Sequence, residues 1–172
     1  MLKLINLSKT FGEFTAVDNL NLQINRGDLF GFLGPNGAGK TTTIKMITGL
    51  YNISKGSILV DDIDISGNPI ISKNKIGYIP DQPFLYDKLT GKEFLYFSGG
   101  LYQIAKKELK DKIDHLIDLL KIGDWLDKRT EDYSQGMRQR ITIASAFLHD
   151  PELIIIDEPM VGLDPQSAVI VK

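Results

Sequence analysis

The sequence of 172 residues contains no cysteine, which excludes disulfides, thiolate metal sites and a cysteine nucleophile together. It also lacks a charge excess. Lys and Arg number 20 against 22 Asp and Glu, a formal net charge of -2, and the two signs are interspersed. No basic stripe is therefore present to hold a nucleic acid. No apolar run reaches the roughly 18 to 20 residues that a helix needs to cross a bilayer. The N-terminus, Met1-Leu2-Lys3-Leu4-Ile5-Asn6-Leu7, alternates apolar and polar residues and lacks the apolar stretch of a signal peptide. These absences fit a cytosolic protein whose membrane link, if it has one, goes through a partner. What is present is 42% hydrophobic residues, enough for one substantial core in a chain of this length.

The apolar residues recur with two periods. Leu2, Leu4 and Leu7, then Leu20, Leu22 and Ile24, read as half-buried strands of an antiparallel sheet, with Arg26-Gly27 as a turn. Leu29-Phe30-Gly31-Phe32-Leu33 is nearly continuous in apolar residues and predicts a strand covered on both faces. A helix is predicted from Thr42 to Leu50 with Ile44, Ile47 and Leu50 on one face, followed by short strands at Ser57–Val60 and Ile76–Ile79, the latter ended by Pro80. Thr90-Gly91-Lys92-Glu93 has the spacing of a capping box and predicts a helix to about Gln103. Leu109, Ile113, Leu116, Ile117 and Leu120 make a helical stripe that either faces the core or receives a partner. A further helix is predicted from about Gly136 to Leu148, ended by Asp150-Pro151, and a buried strand at Leu153–Ile156. The fold class is α/β. An antiparallel N-terminal part and a mixed or parallel core make up residues 1–82 and 150–172, with a helical insertion at 83–149.

Between the apolar strand and the first helix lies Gly34-Pro35-Asn36-Gly37-Ala38-Gly39-Lys40-Thr41-Thr42. Glycines at the first and sixth positions of this motif admit backbone conformations and close approaches that a Cβ would block, so successive N–H groups can turn inward on phosphate oxygens. Lys40 then reaches the β- and γ-phosphates, the Thr41 hydroxyl is placed to ligate Mg²⁺, and the helix N-terminus adds a favourable dipole. A glycine-rich turn without ligand shares the composition but not the strand-loop-helix setting. By itself the loop admits ATP or GTP. Farther on, Leu153-Ile154-Ile155-Ile156 runs into Asp157-Glu158. Such acids at the C-terminal edge of a parallel sheet project toward a bound ligand. Asp157 suits the Mg²⁺ shell and Glu158 the general base that polarises an attacking water.

Together these motifs resemble the nucleotide-binding subunit of an ABC transporter. Tyr133-Ser134-Gln135-Gly136-Met137-Arg138-Gln139-Arg140 is similar to that family's Leu-Ser-Gly-Gly-Gln signature, with Tyr, Gln and Met substituted at three places. The resemblance implies that Ser134, Gln135 and Gly136 face the γ-phosphate of ATP held by an opposite subunit. It implies that Phe11 stacks on adenine, although a core Phe would read the same. It places Asp81 or the neighbouring Gln82 at the Q-loop position, where Asp81 is also a candidate Mg²⁺ ligand. Val161-Gly162-Leu163-Asp164-Pro165 matches the D-loop of the subunit interface.

The implied partners are a second nucleotide-binding subunit, head to tail, and a transmembrane permease whose cytoplasmic helix meets the loop from Asp81 to Leu89, with Phe84 and Tyr86. The implied place is the cytoplasmic face of the membrane. The signature and the Pro-Asp-Gln stretch look exporter-like. In the family another strand and a switch histidine follow the D-loop. This sequence stops at Lys172 and offers only His115 and His149, both ahead of Asp157. The resemblance thus implies a truncated cassette without part of its core, a safer binder of ATP than hydrolyser of it. Repair-type relatives carry zinc cysteines and chromosome-type relatives long coiled coils, both absent here. Translation-type relatives carry two such domains.

Overall fold

The computed structural model describes residues 1–157. The alternating leucines form a hairpin of β1 (Leu2–Phe11) and β2 (Phe14–Ile24), closed at Gly12, whose φ is 59°. Leu2 pairs with Ile24, Leu4 with Leu22 and Leu7 with Leu20. The step from Leu4 to Leu7 is three residues, which would turn Leu7 outward on a regular strand. A register shift there, with Asn6 at φ 46°, returns Leu7 to the core, where it is fully buried. β3 (Lys55–Val60) and the two-residue β4 (Ile63–Asp64) extend the sheet in the order β2-β1-β3-β4. Ile58 and Val60 join Leu2, Leu4 and Leu7 in the core.

The strand expected at Leu29–Leu33 does not form. Residues 25–39 carry no helix or strand, no strand among the described residues pairs with them, and Leu29 and Leu33 are 103% and 91% exposed. Without a neighbour to complete its ladder, an extended apolar run has nothing to fix it. The first helix, α1, spans Lys40–Ile47 and buries Thr43, Met46 and Ile47. It stops before Gly49, which adopts φ 69°, and Leu50 lies beyond it, exposed. Of the expected face, Ile47 is buried and Ile44 half-buried, and Leu50 falls outside it. A short helix, α2 (Pro69–Lys73), opens on a proline.

The chain divides into two compact units, Met1–Ile76 and Gly77–Lys172. In the second, α3 (Gly91–Leu101) begins on the predicted capping box. The Thr90 hydroxyl accepts the Glu93 N–H at 3.2 Å and Glu93 Oε2 accepts the Thr90 N–H at 2.8 Å. It ends two residues before the expected Gln103, which takes φ 57°. α4 (Lys106–Leu120) buries Leu109, Ile113, Leu116 and Leu120, so the stripe is core. α5 (Gln135–Phe147) packs with both around Leu95, Ile113, Ile122, Ile141 and Leu148.

β5 (Ile76–Ile79) and β6 (Leu153–Ile156) form a separate two-stranded sheet. β6 is half-buried, with Ile156 exposed, so the fully buried strand expected there is only partly covered. A Cβ on Gly77 would lie 2.7 Å from the Ala146 carbonyl oxygen and 2.7 Å from Ile154 Cδ1, so only glycine lets β5 approach α5 and β6 this closely. Among the described residues no helix is long and apolar enough to cross a membrane.

Candidate functional site

Of the two loop glycines expected to need special backbone, Gly39 takes a positive φ and Gly34 does not, and Gly37 takes one instead. Gly37 and Gly39 have φ of 82° and 81°, the left-handed region where a side chain is strained. At Gly39 a Cβ would also lie 2.5 Å from the Ala16 carbonyl oxygen of β2. Two independent restrictions therefore fall on one residue. Gly39 is the N-cap of α1, so no side chain caps the helix and no acidic residue occupies its first turn. The positive end of the helix is left for an external anion. Lys40 lies back across the loop, its ammonium donating to the carbonyl oxygens of Gly34 at 2.7 Å and Pro35 at 2.8 Å. Pro35, Asn36 and Ala38 are exposed around it, as is Thr41 in the first turn of α1, with Thr42 half-buried.

At the end of β1 the Phe11 ring is exposed and meets Tyr51 edge to face, with ring centroids 5.5 Å apart. The Lys9 ammonium lies 4.8 Å from the Phe11 centroid. Sequence reasoning singled out Phe11 but missed these two neighbours. Lys9 was legible in principle, since two residues apart on a strand share a face. Tyr51 was not, because it follows the helix-ending Gly49 in an irregular segment. A cavity of about 390 Å³ lies at the other end of α1, its lining mixing Ile47, Ile53 and Ile65 with Thr48, Ser66 and Lys73.

In the second unit the predicted acids converge on one residue. Asp157 is buried and its N–H donates to the Ile79 carbonyl at 2.9 Å. Burial, and then the negative charges of Asp157 and Asp81, push the pKa of the Tyr78 hydroxyl up. Tyr78 thus reports both carboxylates near the end of β5, and it too went unnoticed in the sequence. Asp81 is exposed and its carboxylate accepts the N–H of Gln82 at 2.8 Å. Within the second unit Asp81 and Asp157 offer carboxylate oxygens, the donor type that Mg²⁺ takes. Among the described residues there is no cluster of three or more acidic, His or Cys side chains that would hold a metal by itself. Glu158 and Asp164 lie outside the described residues.

Ser134 is the N-cap of α5, accepting the Met137 N–H at 3.3 Å, so the helix opens at Gln135, one residue earlier than expected. Ser134 and Gln135 are exposed and Gly136 is buried. Tyr133 is locked beneath them. Its hydroxyl accepts the Gly91 N–H at 3.1 Å and lies 3.1 Å from the Trp125 carbonyl, to which it donates. Burial in this setting pushes its pKa up to about 12. The aromatic ring in place of the usual leucine therefore ties α3 to the start of α5. His149 stacks on Tyr102 at 3.8 Å and His115 is exposed on α4.

Residues 17–161 match the family model described as ABC transporter. The linearmycin resistance ATP-binding protein LnrL of Bacillus subtilis (strain 168) is 40% identical over 97% of this chain and 54% of its own length. The chain thus spans about half of that relative. Among solved structures, an ATP-binding subunit of an ABC transporter superposes with a TM-score of 0.91 at 32% identity, covering 99% of this chain and 71% of that one. A dimeric ATP-binding cassette, MJ0796, in a post-hydrolysis state with ADP and phosphate gives 0.86 at 25% identity, covering 99% and 79%. The left-handed glycines ahead of α1, the Ser-capped α5 and these likenesses agree, and the chain belongs to the ABC transporter family of ATP-binding P-loop proteins.

Proposed function

We propose that this chain binds ATP with Mg²⁺ and hydrolyses it to ADP and phosphate, as the ATPase part of a transporter that exports a substrate. The observation that carries the reading is the loop ahead of α1, where left-handed glycines leave backbone N–H groups free to turn inward and Lys40 spans the loop mouth. Lys40 would exchange the Gly34 and Pro35 carbonyls for β- and γ-phosphate oxygens, a charge-assisted contact replacing neutral ones. Phe11 would stack on the base. Thr41 and Asp157, with Asp81 or Gln82, would hold Mg²⁺, which offsets the negative charge that builds on the phosphates. Glu158 would take a proton from the attacking water as its oxygen bonds to the γ-phosphorus and the bond to the bridging oxygen breaks.

Ser134, Gln135 and Gly136 are assigned to the γ-phosphate held by a second subunit, and Asp164 to the interface between the two. The dimeric MJ0796 cassette supports a paired arrangement. For the permease, the exposed rings of Phe84, Tyr86 and Phe97, linked edge to face at 5.7 and 5.3 Å, offer an apolar seat for a cytoplasmic helix. This would bring the chain to the inner face of the membrane. The resistance role in the LnrL relative's name accords with export.

Phosphate release and size exclusion with Mg-ATP test the proposal. The chain should release phosphate above background, and Glu158→Gln should slow release by about a hundredfold or more while eluting as an ATP-dependent dimer. Binding without release in both proteins would favour a dimerising nucleotide module that does not turn over. Release unchanged in Glu158→Gln would remove that residue from the chemistry.

A further inference from the structure

We propose that Tyr51 is a positioning residue for the nucleobase, holding the Phe11 ring in the orientation on which a purine stacks. The inference rests on the reading of Phe11 as the base-stacking ring and adds the parts that fix it. Phe11 ends β1 and is 44% exposed. A lone exposed ring at a strand end would turn among rotamers, and ordering it would subtract from any stacking gain. Two contacts on the structure restrict it. Tyr51 presents its ring to Phe11 at an interplanar angle of 77° with centroids 5.5 Å apart, the arrangement that aromatic quadrupoles favour. The Lys9 ammonium sits 4.8 Å from the Phe11 centroid and 5.8 Å from that of Tyr51. Lys9 is itself tied to the segment carrying Tyr51 by donating to the Asn52 carbonyl at 2.6 Å.

Tyr51 is held in turn from α1, whose Lys45 ammonium lies 5.4 Å from its centroid. Its own N–H donates to the Lys45 carbonyl at 2.9 Å. The last turn of the helix that begins at the glycine-rich loop thus holds, through Lys45, the residue that braces the Phe11 ring. With the Lys9 ammonium and the Tyr51 ring both against it, Phe11 remains 44% exposed, and that exposed part is what a planar base would meet. It reads a π-face rather than a hydrogen-bonding edge, so its ligand class is a purine nucleotide, adenine or guanine alike.

Binding of Mg-ATP and of Mg-tripolyphosphate, which has the phosphates and no base, separates this role from a structural one. The wild-type chain should bind both. Tyr51→Ala should weaken ATP roughly three- to tenfold and leave tripolyphosphate unchanged, Tyr51→Phe should restore ATP affinity, and Phe11→Ala should weaken ATP at least as much as Tyr51→Ala. Equal loss of both ligands in Tyr51→Ala would show a role in folding α1, and unchanged ATP affinity would show no role at the base. Either result overturns the assignment while leaving phosphate binding standing. Failure of the wild-type chain to bind tripolyphosphate would overturn the proposed function as well.

Discussion

The helical unit and the unit that carries the phosphate loop use similar apolar residues and finish them differently. In the helical unit Leu95, Leu109, Ile113, Ile141 and Leu148 close into one buried cluster. In the first unit Leu29 and Leu33 stand almost fully exposed beside the loop. A helix satisfies its backbone within its own segment and needs only a face to bury, whereas a central strand needs hydrogen bonds from neighbours on both sides. The difference therefore lies in where the partners come from. The residues themselves are no less apolar in one unit than in the other. Three substitutions can break or sharpen this contrast.

The largest effect is expected inside the helical cluster. Ile141→Ala removes a fully buried side chain and should cost about 2–5 kcal/mol. Urea unfolding followed through Trp125, the single tryptophan, reads this directly, because that ring packs edge to face on Tyr133 at 4.9 Å.

Tyr133→Phe should cost less, about 0.5–1.5 kcal/mol, since it removes the hydroxyl that accepts the Gly91 N–H and donates to the Trp125 carbonyl, while the Gly91 N–H keeps the Lys128 carbonyl at 3.3 Å. It also carries a pH signature. Folding raises the Tyr133 pKa from 10.0 to about 12, so the folded chain keeps a proton that the unfolded chain has lost. That contribution to stability is fully present below about pH 10 and is lost as pH rises toward about 12. The wild-type urea midpoint should therefore fall across this window, and the part of the fall owed to Tyr133 should vanish in Tyr133→Phe. An identical alkaline profile in the two proteins would place the loss elsewhere.

The smallest effect belongs to Leu29→Ser, which should change stability by no more than about 0.5 kcal/mol because its side chain is already in solvent. A cost matching that of Ile141→Ala would mean that the segment is packed after all, and the contrast between the units would collapse.

The same contrast governs what the sequence revealed. Thr90 and Glu93 were legible because a capping box is closed by residues three apart. The stripe from Leu109 to Leu120 was legible because its period is the helix's own. The helix after Ser134 opens one residue before its expected start at Gly136, within the usual uncertainty of helix ends. Leu7 was assigned to the right face for an incomplete reason, since its three-residue offset needs the irregularity at Asn6.

Leu29–Leu33 failed because apolar continuity records what a strand would bury and not whether a neighbour is there to pair with it. At the candidate site the backbone of the glycine-rich loop was legible at Gly39, because glycine at positive φ is a constraint on single residues. The bracing of Phe11 by Tyr51, and the approach of Asp157 to Tyr78, join residues distant in sequence. No periodicity announces such contacts.

The central claim is that the loop from Gly34 to Thr41 is a phosphate site, and calorimetric titration of Mg-ATP into the wild-type chain and Lys40→Ala tests it most directly. Saturable binding by the wild type, weakened about thirtyfold or more in Lys40→Ala with the Trp125-monitored unfolding midpoint unchanged, is the predicted result. Equal ATP affinity in the two proteins, or no binding by either, would contradict it.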